Sequence, residues 1–237
     1  MTDHTVRSYD IELEALGRKI AEMGGIAEKM LSDAMDSLAT HDSNLARSTV
    51  ASDLRLDILQ REIEEQAIMT IARRQPFAAD LREIVAAIRI SGDLERVGDL
   101  AKNIAKRALK LGAETRMQRA IVGLKSMHET AAMLLKDALD AYAMRDAERA
   151  RQVWTNDVEL DALEDSVFRD LLTFMMEDPR NISFCAHLLF VSKNIERIGD
   201  HSTNIAETVV YLVTGEVLPM DRPKGPSPAS DLPQISK

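Results

Sequence analysis

An internal duplication restricts the folds open to this chain more than any other feature of its sequence. An apolar stripe with alternating spacings of three and four residues recurs 104 positions later, as expected for two copies of one amphipathic helix. The two copies are Ile20, Met23, Ala27, Met30, Ala34 and Leu38, then Leu124, Met127, Ala131, Leu134, Ala138 and Tyr142. A second helical stripe is Leu56, Leu59, Ile63 and Ala67, and its copy is Leu160, Leu163, Val167 and Leu171. In a third pair of segments, Ser91–Ala105 and Ser192–Ala206, eight of fifteen positions are identical.

The prolines divide each copy into helices. Only Pro76 and Pro179 interrupt the body of the chain, because five of the seven prolines lie in the last 19 residues. Each half is therefore predicted to contain three helices of about 30 residues and about 45 Å, with short joints that make neighbours antiparallel. The predicted fold is all-α: two tandem antiparallel three-helix bundles, related by internal duplication, as separate bundles or one elongated six-helix body. The bundles are assigned to residues 8–112 and 113–216, and a disordered Pro-rich tail to 217–237.

Composition and charge exclude several classes of function. The formal net charge is −9 and no concentrated basic patch is evident, so nucleic acid is not an expected partner. A single cysteine, Cys185, permits no internal disulfide and fits a reducing compartment. The N-terminus lacks the apolar core of a signal peptide, and no apolar run is long enough to span a membrane. These features predict a soluble cytoplasmic protein.

Acidic residues recur at helical spacing in both halves. The segment "LERVGDLAKNIA" places Glu95, Asp99 and Asn103 four residues apart, although like charges at that spacing repel by a few tenths of a kcal/mol. The second helix of the first half adds two more acids with the same spacing. The full set is Asp53, Asp57, Glu95, Asp99 and Asn103 in the first half, and Asp157, Asp161, Glu196, Asp200 and Asn204 in the second.

These stripes have two interpretations. On a helical wheel, Glu95, Asp99 and Asn103 fall nearly opposite the apolar seam, which is usual for a solvated face. The same spacing on four helices instead suggests that the oxygens bind divalent or trivalent cations at an open surface site, since a cation would neutralise the repulsion. Gly98 and Gly199 precede the third-helix aspartates, which suggests a close approach of backbone, of metal or of another helix there. His201 is a possible extra ligand in the second half.

These residues are also the ones that carry a family resemblance. The segments "RRQPFAADLREI", "ISGDLERVGDLAKNIAKRAL" and "SKNIERIGDHSTNIAETVVYLVTGE" resemble the signature of PhoU, the regulatory accessory family of bacterial phosphate-specific transport. The resemblance extends over about residues 8–217, in the same order and with the same duplication. It implies two tandem three-helix bundles that bind metal through E/D-xxx-D motifs. The implied ligands are the ten acids and asparagines given above, and the implied metal is iron or zinc, with magnesium or manganese as alternatives.

The resemblance also implies a function and partners. The family represses the phosphate-starvation regulon by linking the ATPase subunit of the phosphate ABC transporter to a phosphate-sensing histidine kinase. Its members are cytoplasmic, associate with the inner membrane only through these partners, and commonly form homodimers. One departure is Leu100, where a histidine frequently follows the Gly-Asp pair, so the first cluster lacks a nitrogen ligand.

The leading hypothesis is therefore a signalling adaptor that is not an enzyme. Two other functions are alternatives to it. One is a carboxylate-bridged metal-dependent enzyme, but that class needs a Glu-x-x-His motif, and no Glu in this sequence has a His three residues later. The other is a purely structural helical scaffold whose acidic stripes are solvated faces. Metal analysis of the purified protein discriminates between a metal-binding adaptor and such a scaffold.

Overall fold

The computed structural model describes residues 2–111 and 118–219, with side chains described from residues 10 and 121 onward in those segments. Within them the chain forms six long helices and no strand. The helices are α1 (Thr2–Thr40), α2 (Ser43–Arg74), α3 (Ala78–Leu111), α4 (Gln118–Met144), α5 (Ala147–Glu177) and α6 (Ile182–Thr214). A short 3₁₀ turn, Pro179–Asn181, precedes α6. The predicted boundary at residues 112 and 113 and most of the predicted tail, residues 220–237, lie outside the described residues.

The joint between the first two helices has the same construction in both halves. His41 and Arg145, which are 104 residues apart, both adopt left-handed backbone with φ of 57° and 53°. The next residue in each case is an aspartate that caps the following helix. Asp42 accepts from the backbone N–H groups of residues 44 and 45, and Asp146 from those of residues 148 and 149, all at 2.8–3.0 Å. Such caps satisfy backbone donors that a helix start leaves unpaired, so the sharp reversal is stable without glycine.

Two antiparallel three-helix bundles result, and they pack against each other as one six-helix body. Helix α3 lies against α1 and α2, α6 lies against α4 and α5, and the two bundles meet mainly where α3 packs on α6. A smaller contact joins α1 to α4. The predicted apolar seam of α3 is buried along its whole length, with Leu94, Val97, Ala101 and Ile104 fully inaccessible. The fold predicted from the duplicated stripes is therefore confirmed.

No described helix has a segment both long enough and apolar enough to cross a membrane.

Glycines inside these helices differ in how closely other side chains pack against them, so substitutions at two of them can test the role of this packing. A Cβ added at Gly98 would collide with Leu56 of α2, whereas one added at Gly25 would meet nothing within 4 Å. Replacing glycine by alanine in a helix interior stabilises the helix by about 1 kcal/mol. Adding a methyl group to a filled core destabilises the fold by about 1–3 kcal/mol. We expect Gly25→Ala to raise the free energy of unfolding by about 0.5–1 kcal/mol, and Gly98→Ala to lower it by about 1 kcal/mol. Urea denaturation measures both, and equal stabilisation by the two changes would contradict the packing role of Gly98.

Candidate functional site

The predicted acids of the first half come together along the line where α2 meets α3. Asp53 and Asp57 project from α2, and Glu95 and Asp99 project from α3. Asp53 is only 8% exposed, and Asp57, Glu95 and Asp99 are partly covered. The expectation of an exposed stripe opposite the seam is thus wrong for Glu95 and Asp99. The reason is that α2 covers the flank of α3 on which they lie.

Glycine makes this close approach of the helices possible in both halves. Gly98 leaves the space that Leu56 of α2 fills, and Gly199 leaves the space for Leu160 of α5. A Cβ at Gly199 would also lie 2.9 Å from Oδ1 of Asp157. Of the three explanations for these glycines, the structure supports a helix contact.

A lysine already occupies the centre of the first acidic cluster. The Nζ of Lys102 donates to Oδ2 of Asp53 at 2.5 Å and also to Oδ1 of Asp99, so it bridges α2 and α3. Its side chain is 19% exposed. Burial acts to lower the pKa of Lys102, but the hydrogen bonds and charges of the two aspartates outweigh burial and raise it. The ammonium group is therefore held in its charged form.

Glu95 experiences the remaining negative charge of this cluster. Its pKa is raised, first by burial and then by the charge of Asp99, with smaller contributions from Asp57 and Asp53. The nearby guanidinium of Arg96 opposes this shift. Four carboxylates that influence one another in this way make a site with affinity for positive charge, and Lys102 supplies part of that charge.

The second cluster has the same acids but a different arrangement of cations. Asp157 is 2% exposed, and Asp161, Glu196 and Asp200 are partly covered. The position equivalent to Lys102 is Thr203, whose hydroxyl donates to backbone oxygens of its own helix at 2.8 and 3.0 Å. No lysine enters this cluster from that position.

The charge balance around Glu196 differs accordingly. Lys193 donates to Oε1 of Glu196 at 2.8 Å from the preceding turn of α6. The other oxygen, Oε2, is buried and has no hydrogen-bond partner. Nearby Glu164 has a raised pKa, first because of burial, with Glu196, Asp165 and Asp161 adding to the shift and Lys193 opposing it. A buried carboxylate oxygen without a hydrogen-bond partner is unfavourable, so Oε2 of Glu196 is available to a cation.

The predicted asparagine ligands lie at the contact between the two halves. Asn204 donates to Oδ1 of Asp93 at 3.2 Å, and Nδ1 of His201 lies 2.9 Å from the same oxygen. Asp93 belongs to α3, so these contacts join α6 to the first bundle. Asn103 is exposed and lines a cleft together with Asn194 of α6. The structure thus pairs Asn204 and His201 with Asp93 across the bundle contact.

The fit of each cluster to a metal ion can be compared on these contacts. Among the described residues, no group of three or more His, Cys, Asp or Glu side chains is arranged to hold a metal ion as it stands. The first cluster does not fit a metal, since Lys102 already binds two of its four predicted acids. The second cluster fits better, because Oε2 of Glu196 has no hydrogen-bond partner and could serve as a metal ligand. The other predicted ligands of this cluster are also carboxylate oxygens, which hard cations prefer.

Sequence reasoning missed the cations that distinguish the clusters. Lys102 and Lys193 were not predicted to take part, and neither was Asp93. The duplication carried a usable signal, because an offset of 101 pairs Lys102 with Thr203 and Asp93 with Asn194. Each pair differs in charge between the two halves, whereas the neighbouring acids, Glu95 and Asp99, are the same in both.

Comparison with known proteins supplies the family. The family model described as "PhoU domain" matches residues 20–108 and again residues 124–209, one match inside each three-helix bundle. The chain belongs to the PhoU family. Two similar relatives are described as "Phosphate-specific transport system accessory protein PhoU homolog", from Rhizobium meliloti and Caulobacter vibrioides. Each is 51% identical; the matches cover 93% of both chains for the first, and 94% of this chain and 97% of the relative for the second.

Solved structures of PhoU proteins have the same fold. The crystal structure of PhoU from Pseudomonas aeruginosa matches with a TM-score of 0.85 at 38% identity, covering 88% of this chain and 100% of that one. The phosphate transport system regulatory protein PhoU from Streptococcus pneumoniae matches with a TM-score of 0.82 at 27% identity, covering 90% of this chain and 100% of that one. The six-helix tandem arrangement is therefore that of the PhoU family.

Proposed function

We propose that this protein is an accessory protein of a phosphate-specific transport system and represses the phosphate-starvation response when phosphate is plentiful. The observation that carries this proposal is identity of 51% over almost the full length of relatives named as accessory proteins of such a system. The protein acts by binding partners and is not an enzyme. The absence of any Glu-x-x-His motif from the sequence supports this over a carboxylate-bridged catalytic centre.

The proposed partners are the ATPase subunit of the phosphate ABC transporter and a phosphate-sensing histidine kinase. An adaptor needs separate docking surfaces, and each half of the chain exposes apolar side chains near the joint between its second and third helices. Phe77 is 83% exposed and Met176 is 85% exposed. Ile68, Met69 and Leu81 are also exposed near the joint of the first half, as are Leu172 and Ile182 near that of the second. Exposed apolar clusters are typical of protein contacts, so these two ends are the surfaces that we assign to the partners or to a second copy in a homodimer.

Metal binding is the part of the proposal that rests on the acidic clusters. We assign it to the second cluster, where Asp157, Asp161, Glu196 and Asp200 would supply oxygen ligands. Iron or zinc is the metal that the family resemblance implies, with magnesium or manganese as alternatives. The metal would neutralise the clustered carboxylates of α5 and α6 and hold these helices together. A purely structural role of the acids is the competing interpretation, and metal analysis separates the two.

Deletion of the gene tests the regulatory proposal. In phosphate-rich medium we expect the deletion strain to express phosphate-starvation genes at the level that wild-type cells reach only when starved. A plasmid copy of the wild-type gene should restore repression, and a copy with Phe77→Ser and Met176→Ser should restore it less well while still producing folded protein. Unchanged expression in the deletion strain would contradict the proposed function. Pull-down from native membranes, with recovery of the transporter ATPase or the kinase, tests the partners.

A further inference from the structure

Two clefts lie at related positions where α3 packs on α6, and their charges differ. One cleft is lined by Asp93, Glu95 and Glu207 together with Arg89 and Arg96. The other is lined by Lys106, Arg107 and Lys110 with Asn103, Asn194 and Phe190. No carboxylate lines the second cleft among the described residues. The duplication relates the two, because an offset of 101 carries Lys106 to Glu207 and Asp93 to Asn194.

The three basic residues of the second cleft stand out in a chain of net charge −9. The expectation that the chain has no concentrated basic patch was wrong at this point. Lys106, Arg107 and Lys110 lie within about one turn on one side of α3, and none of them forms an ion pair with an acid of the described residues. Lys102, one turn earlier on the same helix, is by contrast paired with Asp53 and Asp99. This cleft therefore holds positive charge that the protein itself leaves uncompensated.

Arg107 is held in place by groups that leave most of its donors available. Its guanidinium lies over the ring of Phe190, 4.2 Å from the centroid. One nitrogen, Nη1, lies 3.0 Å from Nδ1 of His187. The pKa of His187 is lowered, first by burial and then by the charges of Arg107 and Lys110, so its neutral ring accepts this hydrogen bond. A guanidinium has five N–H donors, and a stacked, pre-oriented fork loses little conformational entropy when it binds an oxyanion.

We propose that this cleft, lined by Lys106, Arg107, Lys110, Asn103 and Asn194, is a binding site for a phosphate-type oxyanion. Arginine recognises such anions through paired hydrogen bonds and lysine through its point charge. The two side-chain amides add neutral donors. The cavity volume is about 540 Å³, within the range of small-molecule sites. It has room for the organic part of a phosphate monoester as well as for inorganic phosphate.

The related cleft supplies a built-in comparison. There His201 and Asn204 both contact Asp93, and Glu207 accepts from Nε1 of Trp154 at 3.0 Å. Its acids would repel an oxyanion. The site is thus assigned to one of the two clefts, and this assignment does not depend on the metal or on the partners proposed above.

Calorimetric titration of the full-length protein at physiological ionic strength, about 0.15 M, tests the assignment. Inorganic phosphate and glycerol 3-phosphate are the two probes, and their relative affinities show whether the site takes the free ion or an ester. We expect saturable binding of one equivalent of at least one probe. Arg107→Gln and Lys106→Glu, which installs the residue of the acidic cleft, should each weaken it by about tenfold or more. Lys106 is exposed, so its replacement leaves packing intact.

A control substitution that removes the same amount of positive charge elsewhere distinguishes a specific site from non-specific electrostatic attraction. Lys125→Gln removes one positive charge from an exposed position on α4 and should leave the affinity within about twofold, since exposed charges are largely screened. Affinity that falls equally in Lys125→Gln and Arg107→Gln would overturn the proposal. So would the absence of saturable binding of either probe to the wild-type protein, or binding that Lys106→Glu leaves unchanged.

Discussion

Replacement of Lys102 by Met should lower the free energy of unfolding by about 2–4 kcal/mol, the largest effect that we expect from a single surface-proximal substitution. The ammonium bridges Asp53 of α2 and Asp99 of α3. Its removal leaves the buried carboxylate of Asp53 without this counter-charge and takes one cation from the partly covered Asp99, while methionine keeps most of the volume of the side chain. Chemical denaturation at neutral pH in the presence of a chelator measures the loss without any contribution from bound metal.

The matched control for this change is Lys29→Met. Lys29 pairs with Asp33 one turn away, and its side chain is 74% exposed. Exposed pairs of this kind contribute about 0–1 kcal/mol, so this variant should unfold close to the wild type. Similar losses for both variants would show that Lys102 is an ordinary surface lysine and would contradict its placement in the cluster.

The pH dependence of the Lys102 contribution has a definite sign. Its folded-state pKa is raised above that of the unfolded chain, so its stabilisation is fully present below the unfolded pKa and is lost as pH rises through the folded one. As pH rises from neutral, the wild type should therefore keep its advantage over Lys102→Met until the solution is alkaline, above the ordinary titration range of lysine. An advantage that vanished already near neutral pH would be inconsistent with this assignment.

Replacement of Glu196 by Gln should reduce metal binding by roughly tenfold or more, while Glu95→Gln should leave it nearly unchanged. The two glutamates occupy equivalent places in the duplicated halves. They differ because Lys102 already binds acids of the first cluster, whereas Oε2 of Glu196 is buried without a partner. Metal content after purification, followed by titration of the apo-protein with iron(II), zinc and manganese(II), measures the difference.

Lys102→Thr extends this comparison, since it gives the first cluster the residue found in the second. We expect this variant to bind additional metal that the wild type does not bind. Equal loss in Glu95→Gln and Glu196→Gln would contradict the assignment of metal to the second half. Absence of metal from the wild type and from Lys102→Thr would remove metal binding from the proposed function and favour structural acids.

The fold could be predicted from the sequence because each buried position carries its own signal. Leu94, Val97, Ala101 and Ile104 are apolar at helical spacing, and this pattern recurs in the second half. The exposure of the acids could not be predicted in the same way. A helical wheel gives the angle between Glu95 and the seam, but it does not contain the position of α2, which covers that flank.

Contacts between the two bundles could not be predicted from local sequence patterns either. The meeting of Asp93 with His201 depends on the register in which α3 packs against α6. The role of Lys102 likewise depends on the approach of Asp53 from another helix, which Gly98 permits. Comparison of the two halves identified the positions that change charge, but only the packing shows which of these changes alter a cluster.

The packing of α3 on α6 also has a consequence for folding cooperativity. Trp154, the only tryptophan of the chain, lies on α5 and donates a hydrogen bond to Glu207 of α6, a helix packed directly on the first bundle. Neither bundle can open without exposing the apolar side of its central helix, so the two halves are energetically coupled. We therefore expect the chain to melt as one cooperative unit, so that the indole in the second half reports the unfolding of the first.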